Sequence, residues 1–130
     1  MADGKGMRVL IADDNRDAVM TLGILLRSEG FEVELVQGGS DVPGMVRRFR
    51  PHAVLLDLGM PDRSGHDVVL QLTREYGPAC PVLIAVTGRT AETEKRTARV
   101  NGFRYYVPKP YDPERLLGLL GGLNPLGSPV

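Results

Sequence analysis

The sequence predicts an α/β fold in which five parallel strands alternate with five helices, (βα)5, in one open sheet. Three observations carry that expectation. The runs RVLIA (8–12), AVLLD (53–57) and VLIAV (82–86) are short and almost wholly apolar, as strands covered on both faces of a parallel sheet are. Stretches with helically spaced apolar residues lie between them. Glycines and prolines stand at the changeovers, where they end one element and open the next.

The first strand is 8–12. Residues 16–29 follow as a helix, with Val19, Leu22 and Leu26 on one stripe and Gly30 as its stop. FEVELV (31–36) sets Phe31, Val33 and Leu35 against Glu32 and Glu34, an alternation that suits a strand at the sheet edge. Gly38 and Gly39 then read as a turn. Segment 41–50 is a poorer helix, limited by Pro43 and Gly44 to about two turns. After strand 53–57, residues 65–76 place Val68, Val69 and Leu72 together before Gly77 and Pro78. After strand 82–86, segment 90–101 has few apolar residues and reads as a thinly packed, movable helix. YYV (105–107) is the fifth strand. Helix 113–123 opens on Pro113, a first-turn residue, and carries Leu116, Leu117, Leu119 and Leu120.

Composition narrows the function. At 130 residues the chain can bury a core without metal or disulfide staples. Sixteen Lys and Arg balance sixteen Asp and Glu, so no overall positive field recruits nucleic acid or anionic lipid. Arg47, Arg48 and Arg50 read as a solvated helix end. Cys80 is the single cysteine, which excludes an internal disulfide and suits a reducing cytoplasm. No stretch has the apolar length of a signal core or a membrane span. The expectation is one cytoplasmic domain over 7–123, a flexible N-terminus over 1–6, and a Gly/Pro-rich tail or linker start over 124–130.

In an open parallel sheet the active crevice lies beyond the C-terminal strand ends, where strand order switches. The polar residues at those ends are Asp13 and Asp14, Asp57, Thr87 and Lys109. Each has a plain structural explanation as a cap or turn former; their convergence on one edge does not. Two like charges about 4 Å apart repel by about 4 kcal/mol at an effective dielectric near 20. Three carboxylates against one ammonium therefore call for a divalent cation, and hard oxygen ligands suit Mg²⁺. Lys109 is held between Pro108 and Pro110, with its backbone extended by the proline that follows. A carboxylate nucleophile, a cation, a hydroxyl and a fixed ammonium are the parts that hold a phosphoryl group.

These residues resemble, over about 7 to 123, a receiver domain of bacterial two-component response regulators of the chemotaxis-regulator kind. The matching pieces are LIADDN (10–15), LLDLGMPDRSG (55–65), AVTG (85–88) and YYVPKP (105–110), with the Asp-x-x-Met-Pro-x-x-x-Gly pattern at Asp57, Met60, Pro61 and Gly65. The resemblance implies a flavodoxin-like sheet of order 2-1-3-4-5 with helices on both faces. It implies Asp57 as phosphoacceptor, and Asp13, Asp14, Asp57 and the Gly59 carbonyl as the Mg²⁺ set. It further implies Lys109 on the phosphoryl oxygens through a cis bond to Pro110, a geometry that only about 5–6% of X–Pro bonds adopt. Thr87 would close on the phosphate while Tyr106 swings inward. Tyr105 and Gly88 depart from the residues usual at their positions, the first leaving open which tyrosine moves.

The resemblance also implies partners: a histidine kinase or histidine phosphotransfer protein as donor, and a downstream protein at the 90–123 face. Neither nucleic acid nor membrane is expected, and the domain is expected as a monomer or weak dimer, acting on no substrate beyond its own phosphorylation and dephosphorylation. It leaves open a free-standing regulator against the receiver of a hybrid sensor kinase. Two other function classes were weighed. A phosphohydrolase of the haloacid dehalogenase type would need an Asp-x-Asp pair after the first strand and a cap insertion, and the acidic pair here is contiguous. A receiver that binds partners without phosphorylation would not need the complete acidic set. His52 and His66 lack metal spacing and read as surface or cap residues.

Overall fold

A computed structural model describes residues 6–87, 102–109 and 111–123. Its strands are β1 (Arg8–Ala12), β2 (Glu32–Val36), β3 (Ala53–Asp57), β4 (Val82–Thr87) and β5 (Tyr105–Pro108). Its helices are α1 (Arg16–Ser28), α2 (Val42–Phe49), α3 (Gly65–Tyr76) and α4 (Pro113–Gly121), with short 3₁₀ turns at Gly39–Asp41 and Gly77–Ala79. The strands form one parallel sheet of order β2-β1-β3-β4-β5. The α/β class and the 2-1-3-4-5 order are as anticipated. The expected helix over 90–101, Gly88, the bond to Pro110 and the tail over 124–130 lie outside the described residues.

Side-chain alternation along each strand divides the core into two layers. One layer joins Val9, Ile11, Leu55 and Ile84 to Leu22 and Leu26 of α1 and Leu116 and Leu120 of α4. The other joins Leu10, Val54, Leu56 and Leu83 to Val46 of α2 and Val68 and Leu72 of α3. The central strands β3 and β4 are buried along their whole length, which explains why their sequences are nearly unbroken apolar runs. The edge strand β2 buries Val33 and exposes Glu32.

Helix starts are set by local chemistry. Asn15, Ser64 and Asp112 cap α1, α3 and α4, each side-chain oxygen accepting a backbone N–H of the first turn. Asn15 rather than the acidic pair before it caps α1, which leaves both aspartates for another role. The two-turn limit on α2 holds: it runs eight residues and stops at Arg50, whose φ is +52°. The Arg8 guanidinium accounts for that stop by donating to the Phe49 and Arg50 carbonyls at 3.0 and 2.8 Å. His52 is half-buried rather than a surface or cap residue. Its Nδ1 accepts the Arg8 N–H at 2.9 Å, and burial with the nearby Arg8 charge holds its pKa below the usual histidine value. His66 packs edge-on to Phe103, ring centroids 6.3 Å apart. Among the described residues no helix is long and apolar enough to cross a membrane.

Candidate functional site

Four strands end at one edge of the sheet and each delivers a polar residue there. Asp13 follows β1, Asp57 closes β3, Thr87 closes β4, and Lys109 follows β5. Asp13, Asp57 and Thr87 are buried while Asp14 is exposed. The sheet itself sets this arrangement, because parallel pairing places Asp57 beside Val86 and Thr87 beside Pro108. The Lys109 N–H donates to the Thr87 carbonyl at 2.6 Å, so the strand pairing continues one residue past β5.

Each buried acidic side chain is anchored on one oxygen. The Asn15 N–H donates to Asp13 Oδ1 at 2.9 Å, and the Gly59 N–H donates to Asp57 Oδ1 at 3.0 Å. The other oxygens face Lys109, whose Nζ lies 2.9 Å from Asp13 Oδ2 and 3.4 Å from Asp57 Oδ2. Gly65 makes this possible, since a Cβ there would stand 2.9 Å from the Asp57 carbonyl oxygen. The glycine of the Asp-x-x-Met-Pro-x-x-x-Gly pattern thus lets α3 begin against the end of β3.

The electrostatics are unequal. Burial raises the Asp57 pKa, and the neighbouring Asp13 charge adds to this against the Gly59 N–H and the Lys109 charge. Burial pulls Lys109 down, but its hydrogen bond to Asp13 and the two carboxylate charges outweigh it and the net shift is upward. The two shifts agree once the distances are compared. Lys109 sits closer to Asp13, so it neutralises that carboxylate first and leaves Asp57 under-compensated. Asp13, Asp14 and Asp57 offer oxygens that all lie within 4.8 Å of one another. An all-carboxylate donor set with excess negative charge and one exposed member fits a hard divalent cation.

The two tyrosines separate by face. Tyr105 packs against the α1/α4 layer, as Val107, Tyr111 and Leu119 do, whereas Tyr106 packs against the α2/α3 layer that holds Ala85 and Phe103. Alternation along β4 puts Thr87 on the Tyr106 side. Two contributors escaped the sequence reading. Tyr111 is half-buried near the pocket, its phenol pushed up by burial and then by the Asp13 charge. Its place directly after Lys109 and Pro110 was the available signal. Asp62, two residues past Met60, reaches the turn after β2, where its carboxylate accepts the Gly39 and Ser40 N–H groups. Arg47, Arg48 and Arg50 are exposed, as expected of a solvated helix end.

A sequence profile of the response regulator receiver domain matches residues 9–120. Protein PilH of Pseudomonas aeruginosa is 34% identical over 110 residues, covering 85% of this chain and 91% of that protein. Response regulator MprA of Mycobacterium leprae is 37% identical over 117 residues, which are 90% of this chain and 50% of the relative, so the chain spans about half of that protein. In fold, the chain is similar to chemotaxis protein CheY4 of Vibrio cholerae, with a TM-score of 0.82 at 24% identity over 88% of this chain and 95% of that one.

Proposed function

Because the chain belongs to the response regulator receiver domain family of two-component systems, we propose that Asp57 is its phosphoacceptor and Lys109 the cation that meets the incoming phosphoryl group. The observation that carries this reading is the division of the Asp57 carboxylate. Oδ1 is occupied by the Gly59 N–H, and Oδ2 faces Lys109. Asp57 Oδ2 forms the bond to phosphorus as the bond from phosphorus to the donor's imidazole nitrogen breaks, and the electron pair leaves with the imidazole. Lys109 stays protonated, since its pKa is raised, and pairs with a phosphoryl oxygen. Thr87 donates its hydroxyl to another.

Asp13, Asp14, Asp57 and the Gly59 carbonyl are the residues that would hold Mg²⁺. When bound, the ion supplies neutralisation of charge on the phosphoryl oxygens. Tyr106 shares the face of Thr87, so inward movement of Thr87 opens space for that ring and alters the surface over 90–123, where a downstream protein docks. The donor is a histidine kinase or histidine phosphotransfer protein in the cytoplasm, and the functional unit is 7–123 as a monomer or weak dimer. Family membership sets aside the phosphohydrolase alternative; the chain acts on no substrate but its own acyl phosphate.

The test is incubation with a small acyl phosphate and Mg²⁺, read by mass and by hydroxylamine sensitivity. One phosphoryl group is expected on wild type and none on Asp57→Asn. Equal labelling of both proteins would defeat the assignment.

A further inference from the structure

We propose that Asp62 is a positioning residue for the acidic pocket, clamping the β3–α3 loop onto Gly38 and Gly39 so that the Gly59 peptide stays beside Asp57. The proposal rests on the reading of Asp57 as phosphoacceptor and extends it to residues outside the charged cluster. Asp62 Oδ1 accepts the Gly39 N–H and Oδ2 the Ser40 N–H, both at 3.0 Å. These N–H groups open the 3₁₀ turn that leads into α2, and first-turn donors have no partner inside their own helix. A carboxylate is suited to them by charge as well as by geometry.

The approach is close. A Cβ at Gly38 would stand 2.6 Å from Asp62 Oδ2, and one at Gly39 would collide with the Arg63 carbonyl oxygen. Gly38 has φ −149° and ψ 152°, extended backbone open to any residue. A Cβ at 38 would therefore displace the Asp62 carboxylate from its place, while the chain's own conformation there would accept any residue.

The clamp closes a ring of contacts around the pocket. The Asp13 N–H donates to the Val36 carbonyl at 3.2 Å, tying the end of β2 to the loop that carries Asp13. Asp62 ties the following turn to the loop that carries Gly59. The backbone bond across that loop, from the Gly65 N–H to the Leu58 carbonyl, is long at 3.4 Å, and Asp62 adds a tether on the outer side. Groups hydrogen-bonded directly to metal ligands typically alter affinity by about 10-fold or more when removed; Asp62 acts one contact further out, through the loop, so a smaller loss is expected.

The experiment compares wild type, Asp62→Ala, Asp62→Asn, Gly38→Ala and the Asp62→Ala/Gly38→Ala double variant. Mg²⁺ affinity is measured by calorimetry, phosphorylation rate with a small acyl phosphate, and the Gly59 amide signal by NMR in the metal-free protein. Asp62→Ala and Gly38→Ala should each weaken Mg²⁺ by up to about 10-fold, slow phosphorylation and shift the Gly59 amide. The double variant should be no worse than either single one, because both remove the same contact. Asp62→Asn keeps one acceptor oxygen and should recover part of the loss. Wild-type Mg²⁺ affinity in either single variant overturns the proposal, as does a loss that Asp62→Asn does not reduce. Should Asp62→Ala fail to fold, Gly38→Ala decides alone. Wild type that takes no phosphate on Asp57 would instead overturn the functional reading, with the Gly59 amide comparison still testing the clamp.

Discussion

Burial sets the behaviour of the Asp57 carboxyl. Its folded pKa is above the ordinary carboxylate value of about 3.9. The folded chain thus holds this proton more readily than the unfolded chain. The stability so conferred is complete below the unfolded value and is lost as pH rises through the folded one. Asp57→Asn stays neutral throughout, so without divalent cation at neutral pH it should melt a few degrees above wild type, the scale on which about 1 kcal/mol moves a domain of this size. The gap should close below about pH 4; a gap independent of pH, read by calorimetry, would reject the account. Lys109→Met should do the reverse, since it leaves Asp13 and Asp57 facing each other. That variant is expected to melt lower without Mg²⁺ and to gain more on adding it than wild type does. Asp62 titrates in the other direction. The Ser40 and Gly39 N–H groups lower its pKa to about 2, so its contribution is complete above the unfolded value and is lost as pH falls through about 2. A carboxyl carbon titration by NMR with a midpoint near 4 would contradict the two hydrogen bonds.

At the scale of elements, burial separates positions that the sequence makes look alike. Leu120 of α4 is 0% exposed and Ile24 of α1 is 65% exposed. Leu120→Ala should cost about 2–5 kcal/mol through the cavity it leaves, whereas Ile24→Ala should stay within about 0.5 kcal/mol. Chemical denaturation of the two variants checks this, and equal losses would show that the layer assignment is wrong. Elements with a strong period were readable in advance. Strands β3 and β4 announce themselves by continuous apolar residues, and β2 by its alternating glutamates. The pocket was readable because parallel topology converts strand-final residues into neighbours. Contacts made by loops were not readable: nothing in the spacing of Asp62 and Gly38 brings them together until the sheet order is known. The role of His52 was hidden for the same reason, since its partner Arg8 lies 44 residues away.

For the whole molecule, Mg²⁺ should act as a folding ligand. Any species that binds only the folded form stabilises it by about 2.7 kcal/mol at 100 times its Kd. Wild type titrated with Mg²⁺ should show that rise in unfolding free energy, and Asp14→Ala should lose most of it while keeping its metal-free stability, because Asp14 is exposed. An Asp14→Ala protein that still gains in full would remove that carboxylate from the cation set.

The bond between Lys109 and Asp13 joins residues 96 positions apart. During synthesis the amino-terminal carboxylates emerge long before the ammonium that balances them. Until Lys109 is made, the carboxylates of Asp13 and Asp57 lack the counter-ion that this contact supplies. Lys109 is made 96 residues after Asp13, so the pocket cannot be completed before the fifth strand has been translated.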